Sequence, residues 1–491
     1  MTSPTYLTTF AFFLYISVVL FIGFVAYRKT NDATDYFLGG RRLGPRVAAI
    51  SAGASDMSGW TLLGLPGFAY LAGAESAWIA LGLILGVAAS WILVAGRLRS
   101  ESQKLNNAIT IPMYLHNRFQ AQKPWLRIIS SMSILLFFLF YVGSGLIAGG
   151  KLFNEVFGID YELAVYVSVL LILVYTTFGG FLAVSWTDVF QAILMLIALV
   201  SVPILAVNQI GGIDTLFEEI GSKNIHFLDI FSDVDGNNLG VIAIFSYLGW
   251  GLGYFGQPHV LSRYMAIDSA ASVGKATRYA VFWAATCYTL AILVGLSGIG
   301  YFSESIADSE KVFILLTDLL FHPVIAGLFL AAILAAIMST VDSQLLVCSA
   351  SLAEDLYPII RGKSILVKEK LRIGRMSVIF LALLATLIAL KPDSKVLDVV
   401  SYAWAGLGAS LGPVIIFSLY YKKMTEIAAF IGILIGSSTV VVWDMLNGSI
   451  FELYSLVPAF LLSSLSIIAA SGFYPNKDQG DDSHRGPLSH S

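Results

Sequence analysis

Apolar residues run along this chain in long blocks, most of them joined by short connections with Gly, Pro, Asn or Asp at the breaks. A block of about 20 residues crosses the roughly 30 Å hydrocarbon layer of a bilayer as an α-helix. A hydropathy window of about 19 residues predicts some thirteen such helices. Their approximate centres are Ser17, Gly59, Leu85, Tyr141, Ile172, Met195, Trp250, Thr289, Met338, Leu383, Gly408, Leu434 and Leu461. The first, about 5–27, has no Lys or Arg before it and reads as a retained span rather than a cleaved signal. The predicted fold is therefore all-α, a polytopic membrane protein whose single membrane domain covers 1–475 and is followed by a polar tail at 476–491.

An odd number of spans places the two ends of the domain on opposite sides, and basic residues choose which. Loops held in the cytoplasm are enriched in Lys and Arg. With the N-terminus outside, the inner connections hold 24 of the 29 basic residues, including Arg28 to Arg46, Arg97 to Arg127 and Arg263 to Arg278. The outer side keeps only Lys151, Lys223, Lys311, Lys391 and Lys395. The C-terminus is thus predicted to be cytoplasmic. Arg41 and Arg42 read here as topology determinants beside the lipid headgroups.

Composition agrees: 57% of residues are hydrophobic and 12% charged, against roughly 25% charged in an ordinary soluble domain. A net charge of -3 gives no reason to invoke nucleic acid. Cys287 and Cys348 both fall in apolar stretches and read as core packing rather than a disulfide framework. The six histidines show no ligand spacing, and no Gly-x-x-x-x-Gly-Lys phosphate loop suggests an ATP-driven pump. No nucleophile with an adjacent base points to an enzyme, and no metal site other than one for an alkali ion follows.

Against this background Asp56 stands out, because it is the only charged residue from Val47 to Leu71. A charge near the bilayer centre costs about 2.5 to 3.5 kcal/mol on insertion scales, so such a carboxylate faces a polar cavity and a partner. Glycines stand at Gly53 and Gly59, with Pro66 beyond. The seventh span carries a second glycine-rich stretch, Gly249 to Pro258. Glycine disfavours a helix interior and proline removes a donor, so both spans are predicted to be broken. Backbone groups freed in this way must line a cavity or coordinate something. The alternative for either stretch is close helix packing through small residues.

The two breaks fall five spans apart, so the equivalent helices run in opposite directions. Paired broken helices of this kind build a midplane site in inverted-repeat transporters. Here the repeats would be about 45–208 and 239–421, with two further helices about 426–473. Span nine adds Ser339, Thr340, Asp342 and Ser343 inside an otherwise apolar helix. Carbonyls from a break and hydroxyls from a neighbouring helix are the oxygens that a small hard cation such as sodium requires. Taken alone, such hydroxyls also bond to their own preceding carbonyls. Asp188, near the predicted start of span six, reads as a helix cap.

The strings Leu38 to Pro45, Ser51 to Trp60, Phe181 to Asp188, Leu248 to Pro258, Met338 to Val347 and Ser401 to Gly406 resemble the sodium/solute symporter family, and the likeness runs to about Ser471. It is strongest to bacterial members that carry proline. The resemblance implies a membrane transport domain with a five-plus-five inverted-repeat core of the leucine-transporter type, in a bacterial plasma membrane. It implies sodium held by the carbonyls of Ala54, Met57 and Ala336 and the hydroxyls of Ser339 and Thr340. Asp56, Ser58 and Gly59 are then linked to sodium, and Trp60, Tyr141, Trp250, Tyr254 and Pro258 line a pocket for proline. An aromatic wall and half-helix amides suit that compact zwitterion. Arg41, Asp188 and Asp342 are coupling candidates. Departures are a short outer connection, Ser303 to His322, Asp342 where proline-carrying members have serine, and the tail. The alternatives are a sodium- or proton-coupled symporter of another small solute, and a membrane receptor or enzyme.

Overall fold

The computed structural model describes residues 6–27, 37–176, 180–362, 366–391 and 394–475. The polar tail from 476 and the basic residues Arg28 and Lys29 lie outside them. Among the described residues nine helical runs are long and apolar enough to cross a membrane by length and composition. Shorter apolar helices lie at Tyr6–Ile22, Tyr161–Val174 and Val241–Phe255. One of the nine, Trp60–Lys104, contains the turn at Gly73–Ser76 and so joins what the sequence reads as two spans. No β-strand occurs among the described residues, only isolated bridges such as Leu43 with Ile267.

The helices that matter for the site are α1 (Tyr6–Tyr27), α2 (Pro45–Asp56), α3 (Leu65–Ala72), α4 (Ala77–Ser90), α5 (Trp125–Phe157), α6 (Phe181–Ile210), α7 (Val241–Gly249), α8 (Pro258–Ala266), α9 (Val273–Tyr301), α10 (Pro323–Ala350) and α11 (Val396–Tyr420). Helix α10 is almost wholly enclosed, from Phe329 to Leu346. It packs on α1, α5, α6 and α2. A helix apolar on every face belongs at the centre of a bundle, and this one carries the Ser339 to Ser343 cluster there.

Both predicted breaks are present. Helix α2 stops at Asp56, Met57 leaves helical geometry (φ -79°, ψ 81°), and a wide π-type turn over Trp60–Gly64 restarts the helix as α3. In the second break, α7 tightens into a 3-10 turn over Trp250–Phe255 and then opens at Gly256 and Gln257. Pro258 begins α8, where its missing N–H is harmless. The close-packing alternative also holds. A Cβ on Gly59 would sit 2.4 Å from that of Ala148, and one on Gly253 would strike the Trp404 indole. The glycines therefore permit both the interruption and the tight approach of neighbouring helices.

Outside the break region, Lys151 pairs with Glu310 (2.7 Å) and Asp308 (3.0 Å). Glu310 also accepts the Val396 and Leu397 amides at the start of α11 (3.0 Å each). The connection Ser303 to His322, expected to be merely short, thus ties α5 to α11.

Candidate functional site

The freed carbonyls of α2 are met by side chains from other helices. Ser339 Oγ on α10 donates to the Ala54 carbonyl at 2.8 Å and lies 3.0 Å from that of Ala336. Thr340 Oγ1 donates to the same Ala54 oxygen at 3.4 Å. Four of the five expected ion ligands thus converge at one point, enclosed by the bundle. Met57 follows at the break itself, buried, its amide bonded to the Gly53 carbonyl at 2.9 Å. These are hard neutral oxygens, the donor set that replaces the water shell of an alkali cation. The expectation that such hydroxyls bond their own helix holds in part: Ser343 Oγ donates to the Ser339 carbonyl and Ser339 Oγ lies within reach of that of Ala336, but Ser339 and Thr340 also reach across to α2.

Asp56 is buried and faces aromatic residues. Its Oδ2 accepts from the Tyr254 and Tyr288 hydroxyls, the latter at 2.9 Å, while Oδ1 has no partner. Its carbonyl accepts from Trp60 Nε1 (3.0 Å) and the Tyr141 hydroxyl (3.3 Å). The Trp60 ring lies 5.8 Å from that of Tyr288 and 5.9 Å from Trp250, and Tyr254 meets Trp404 edge-on at 5.0 Å. Trp404 in turn donates to the Trp250 carbonyl at the start of the second break, at 2.8 Å. Of the expected pocket residues, Trp60, Tyr141, Trp250 and Tyr254 share this cluster. Pro258 opens α8 beside a separate cavity that it lines with Arg263 and Phe181. Trp250 and Tyr254 do not form one face, because a 3-10 turn has three residues per turn. Trp250 stacks on Tyr454 while Tyr254 turns to Asp56. Ser58 and Gly59 lie in the break, both buried.

The helix-cap reading of Asp188 and the headgroup reading of Arg41 require correction. Asp188 does not cap its helix; the N-terminal position is Gly180, which offers no side chain. Asp188 instead lies fully buried on α6, where Oδ2 accepts from Ser51 Oγ (2.6 Å) and pairs with Arg263 at 3.1 Å. The Arg263 guanidinium also donates to Ser51 Oγ (3.1 Å), Ser343 Oγ (2.6 Å) and the His259 carbonyl (3.1 Å). It belongs inside the bundle, not among the inner-loop charges with which the sequence grouped it. Asp342 lies fully buried within electrostatic reach of Asp188 and Arg263, and neither of its oxygens has a hydrogen-bond partner. The Arg41 side chain faces the protein rather than lipid headgroups. It is buried and donates to Asn107 Oδ1 (2.8 Å), Ser102 Oγ (3.0 Å) and the carbonyls of Met265 (2.6 Å) and Ala108 (2.7 Å).

Tyr288, Trp404 and Arg263 escaped the sequence reading. Tyr288 and Trp404 sit in ordinary apolar helix sequence, and Arg263 five residues beyond Pro258 looks like a span-end charge.

A model of the sodium:solute symporter family matches residues 36–436. The chain belongs to that family. This family member is 47% identical to the sodium/proline symporter of Salmonella typhimurium over 467 residues, which cover 94% of this chain and 92% of the relative. It is 46% identical to the high-affinity proline transporter PutP of Bacillus subtilis over 456 residues, 92% and 95% of the two chains. Among solved structures it superposes on a Na+-coupled sialic acid symporter with a TM-score of 0.80 at 20% identity, covering 96% and 99% of the two chains. MhsT in complex with L-phenylalanine gives 0.54 at 14% identity, covering 87% and 98%. The fold is therefore the all-α leucine-transporter type, the fold of a multi-pass membrane transporter.

Proposed function

We propose that this chain is a sodium-coupled symporter that imports L-proline by alternating access across a bacterial plasma membrane. The observation that carries the reading is the convergence of Ser339 and Thr340 on the Ala54 carbonyl, two residues from Asp56 and its aromatic surround. Sodium is cargo here, held by the carbonyls of Ala54, Met57 and Ala336 and the two hydroxyls. Binding it draws the break in α2 against α10, and Ser58 and Gly59 carry that order to the adjacent pocket. Trp60, Tyr141, Trp250 and Tyr254 wall the substrate, and the helix opened by Pro258 contributes amide donors. The likeness to curated proline carriers over more than nine-tenths of the chain selects proline from other small solutes.

One positive charge moving inward gains about 2.3 kcal/mol per 100 mV. At about 1.4 kcal/mol per tenfold, that drives roughly forty-fold accumulation before the sodium gradient is added. Arg41 and the Asp188 pair with Arg263 join helices, Asp342 lies within electrostatic reach of that pair, and together they are proposed to set the free-energy difference between inward and outward states.

Radiolabelled proline is expected to accumulate in vesicles only with inward-directed sodium, and to resist competition by other amino acids. Accumulation of a different solute in its place would replace the substrate. The proposed topology has thirteen spans with the N-terminus outside. A C-terminal epitope tag should then be reached by antibody only after permeabilisation; labelling of intact cells would reverse the orientation.

A further inference from the structure

A groove of about 560 Å³ takes no part in the ion or substrate sites. It lies where the end of helix Val367–Ala389, the first turns of α11 and the end of helix Glu426–Trp443 meet, with Phe140 of α5 in its wall. Its apolar side includes Leu387, Val441 and Met445, and its polar side Lys391, Asp398 and Asp444. Leu387 and Met445 are exposed on the outside of the bundle, where a membrane transporter meets acyl chains. We propose that this groove seats the headgroup of one amine-bearing phospholipid, of the phosphatidylethanolamine class, with its ammonium between Asp398 and Asp444, its phosphate at Lys391 and its chains against the apolar side. With the N-terminus outside, as proposed above, the seat lies at the outer leaflet. The inference goes beyond the transport reading and holds whichever solute is carried.

The charges select that partner. Asp444 directly follows the last turn of its helix, and a negative charge at a helix C-terminus opposes the macrodipole. Asp398 stands within electrostatic reach of it, so two like charges face one space. Among the described residues neither carboxylate has an ion-pair or hydrogen-bonding partner. Partial burial, and after it the charge of Asp398, raises the Asp444 carboxyl above its ordinary range. A cation seated between the two carboxylates removes their repulsion and opposes that shift. A primary ammonium has three N–H donors and can bond both, while the lysine in the same groove supplies the point charge that a phosphate takes. A headgroup ending in a hydroxyl brings a negative charge without a cation, and a trimethylated amine brings a cation without N–H donors. A free amino acid matches the charges, but a groove of this volume with exposed aliphatic walls suits a molecule that has chains to lay against them. The occupant touches both α11 and helix Glu426–Trp443, and so fastens one to the other.

The test uses the purified full-length protein in detergent, titrated with phosphatidylethanolamine, phosphatidylcholine and phosphatidylglycerol that share the same acyl chains. Native mass spectrometry counts the bound lipid, and thermal unfolding follows the stabilisation it brings. The wild type is expected to hold one phosphatidylethanolamine about ten-fold or more tighter than phosphatidylcholine, and tighter again than phosphatidylglycerol, as for charge-assisted hydrogen bonds that the other two lack. Asp398→Asn combined with Asp444→Asn should bring the three lipids within about three-fold of one another. Lys391→Gln should weaken all three about three- to ten-fold and leave their order unchanged, because all carry the phosphate. Stripped of lipid, Asp444→Asn should unfold no earlier than the wild type, since it removes a charge that opposes its helix. A merely structural carboxylate would lose stability with and without lipid, and that result counts against the seat. Equal binding of the three lipids by the wild type, a preference that survives the double amide variant, or displacement of the bound lipid by millimolar proline overturns the inference.

Discussion

Arg263→Ala is expected to lower the stability of the folded transporter by about 3 to 5 kcal/mol, the loss seen when one partner of a buried ion pair is removed. The reason is the company it keeps. Asp188 and Arg263 are fully buried, and the guanidinium bonds Ser51 on α2, Asp188 on α6, the His259 carbonyl on its own helix and Ser343 on α10. Its removal leaves Asp188 without its ion-pair partner, with Asp342 nearby. It also leaves the Phe181 ring, 4.9 Å from the guanidinium carbon, beside a void. Asp188→Asn should be milder, because Ser51 still meets the amide and Asp342 still balances the arginine. Arg263→Ala combined with Asp188→Asn should cost less than the two changes added together, since neither member of the pair is then left charged without the other. Thermal unfolding of the purified variants measures all three. An Arg263→Ala protein with an unchanged midpoint, or strict additivity in the cycle, would remove the pair from its structural role.

That pair also shows where reading the sequence stopped. Single helices are legible because membrane spans obey a local rule, apolar length, and every expected centre falls in or next to a described helix. The breaks were legible too, because glycine and proline act on their own backbone. So was the α2 to α10 meeting, since oxygens freed at one helix require partners on another. What stayed hidden depends on rotation about helix axes. Arg263 carries the charge of a loop residue and lies near a span end, so the topology count absorbed it; only its orientation towards α6 reveals a partner. Arg41 is held inward by a left-handed backbone at Gly39, Gly40 and Arg41 itself, which no hydropathy window registers. Asp188 looked like a cap because its helix start was misjudged by several residues. Tyr288 has the composition of lipid-facing helix and gains meaning only from Asp56 opposite.

Replacing Ser339 or Thr340 by alanine is expected to raise the sodium needed for half-maximal uptake about ten- to hundred-fold each, from about 1.5 to 3 kcal/mol per bond to a charged group and about 1.4 kcal/mol per tenfold. The double variant should exceed either single change. The two hydroxyls meet at one carbonyl, Ala54, so they serve as neighbouring corners of the same ion shell and their effects should not simply add. Thr340→Ser keeps the oxygen and removes only a methyl, so it should retain sodium affinity within about three-fold; it separates coordination from packing. The substrate constant measured at saturating sodium should move little, because the aromatic cluster directs its hydrogen bonds to Asp56 and the second break rather than to α10. Uptake of labelled proline across a sodium titration in proteoliposomes reads both quantities. Unchanged sodium dependence in the double variant would mean that the ion is held elsewhere. The α2 break would then serve the substrate alone, and the energetic link between ion and amino acid would have to run through the Arg263 network.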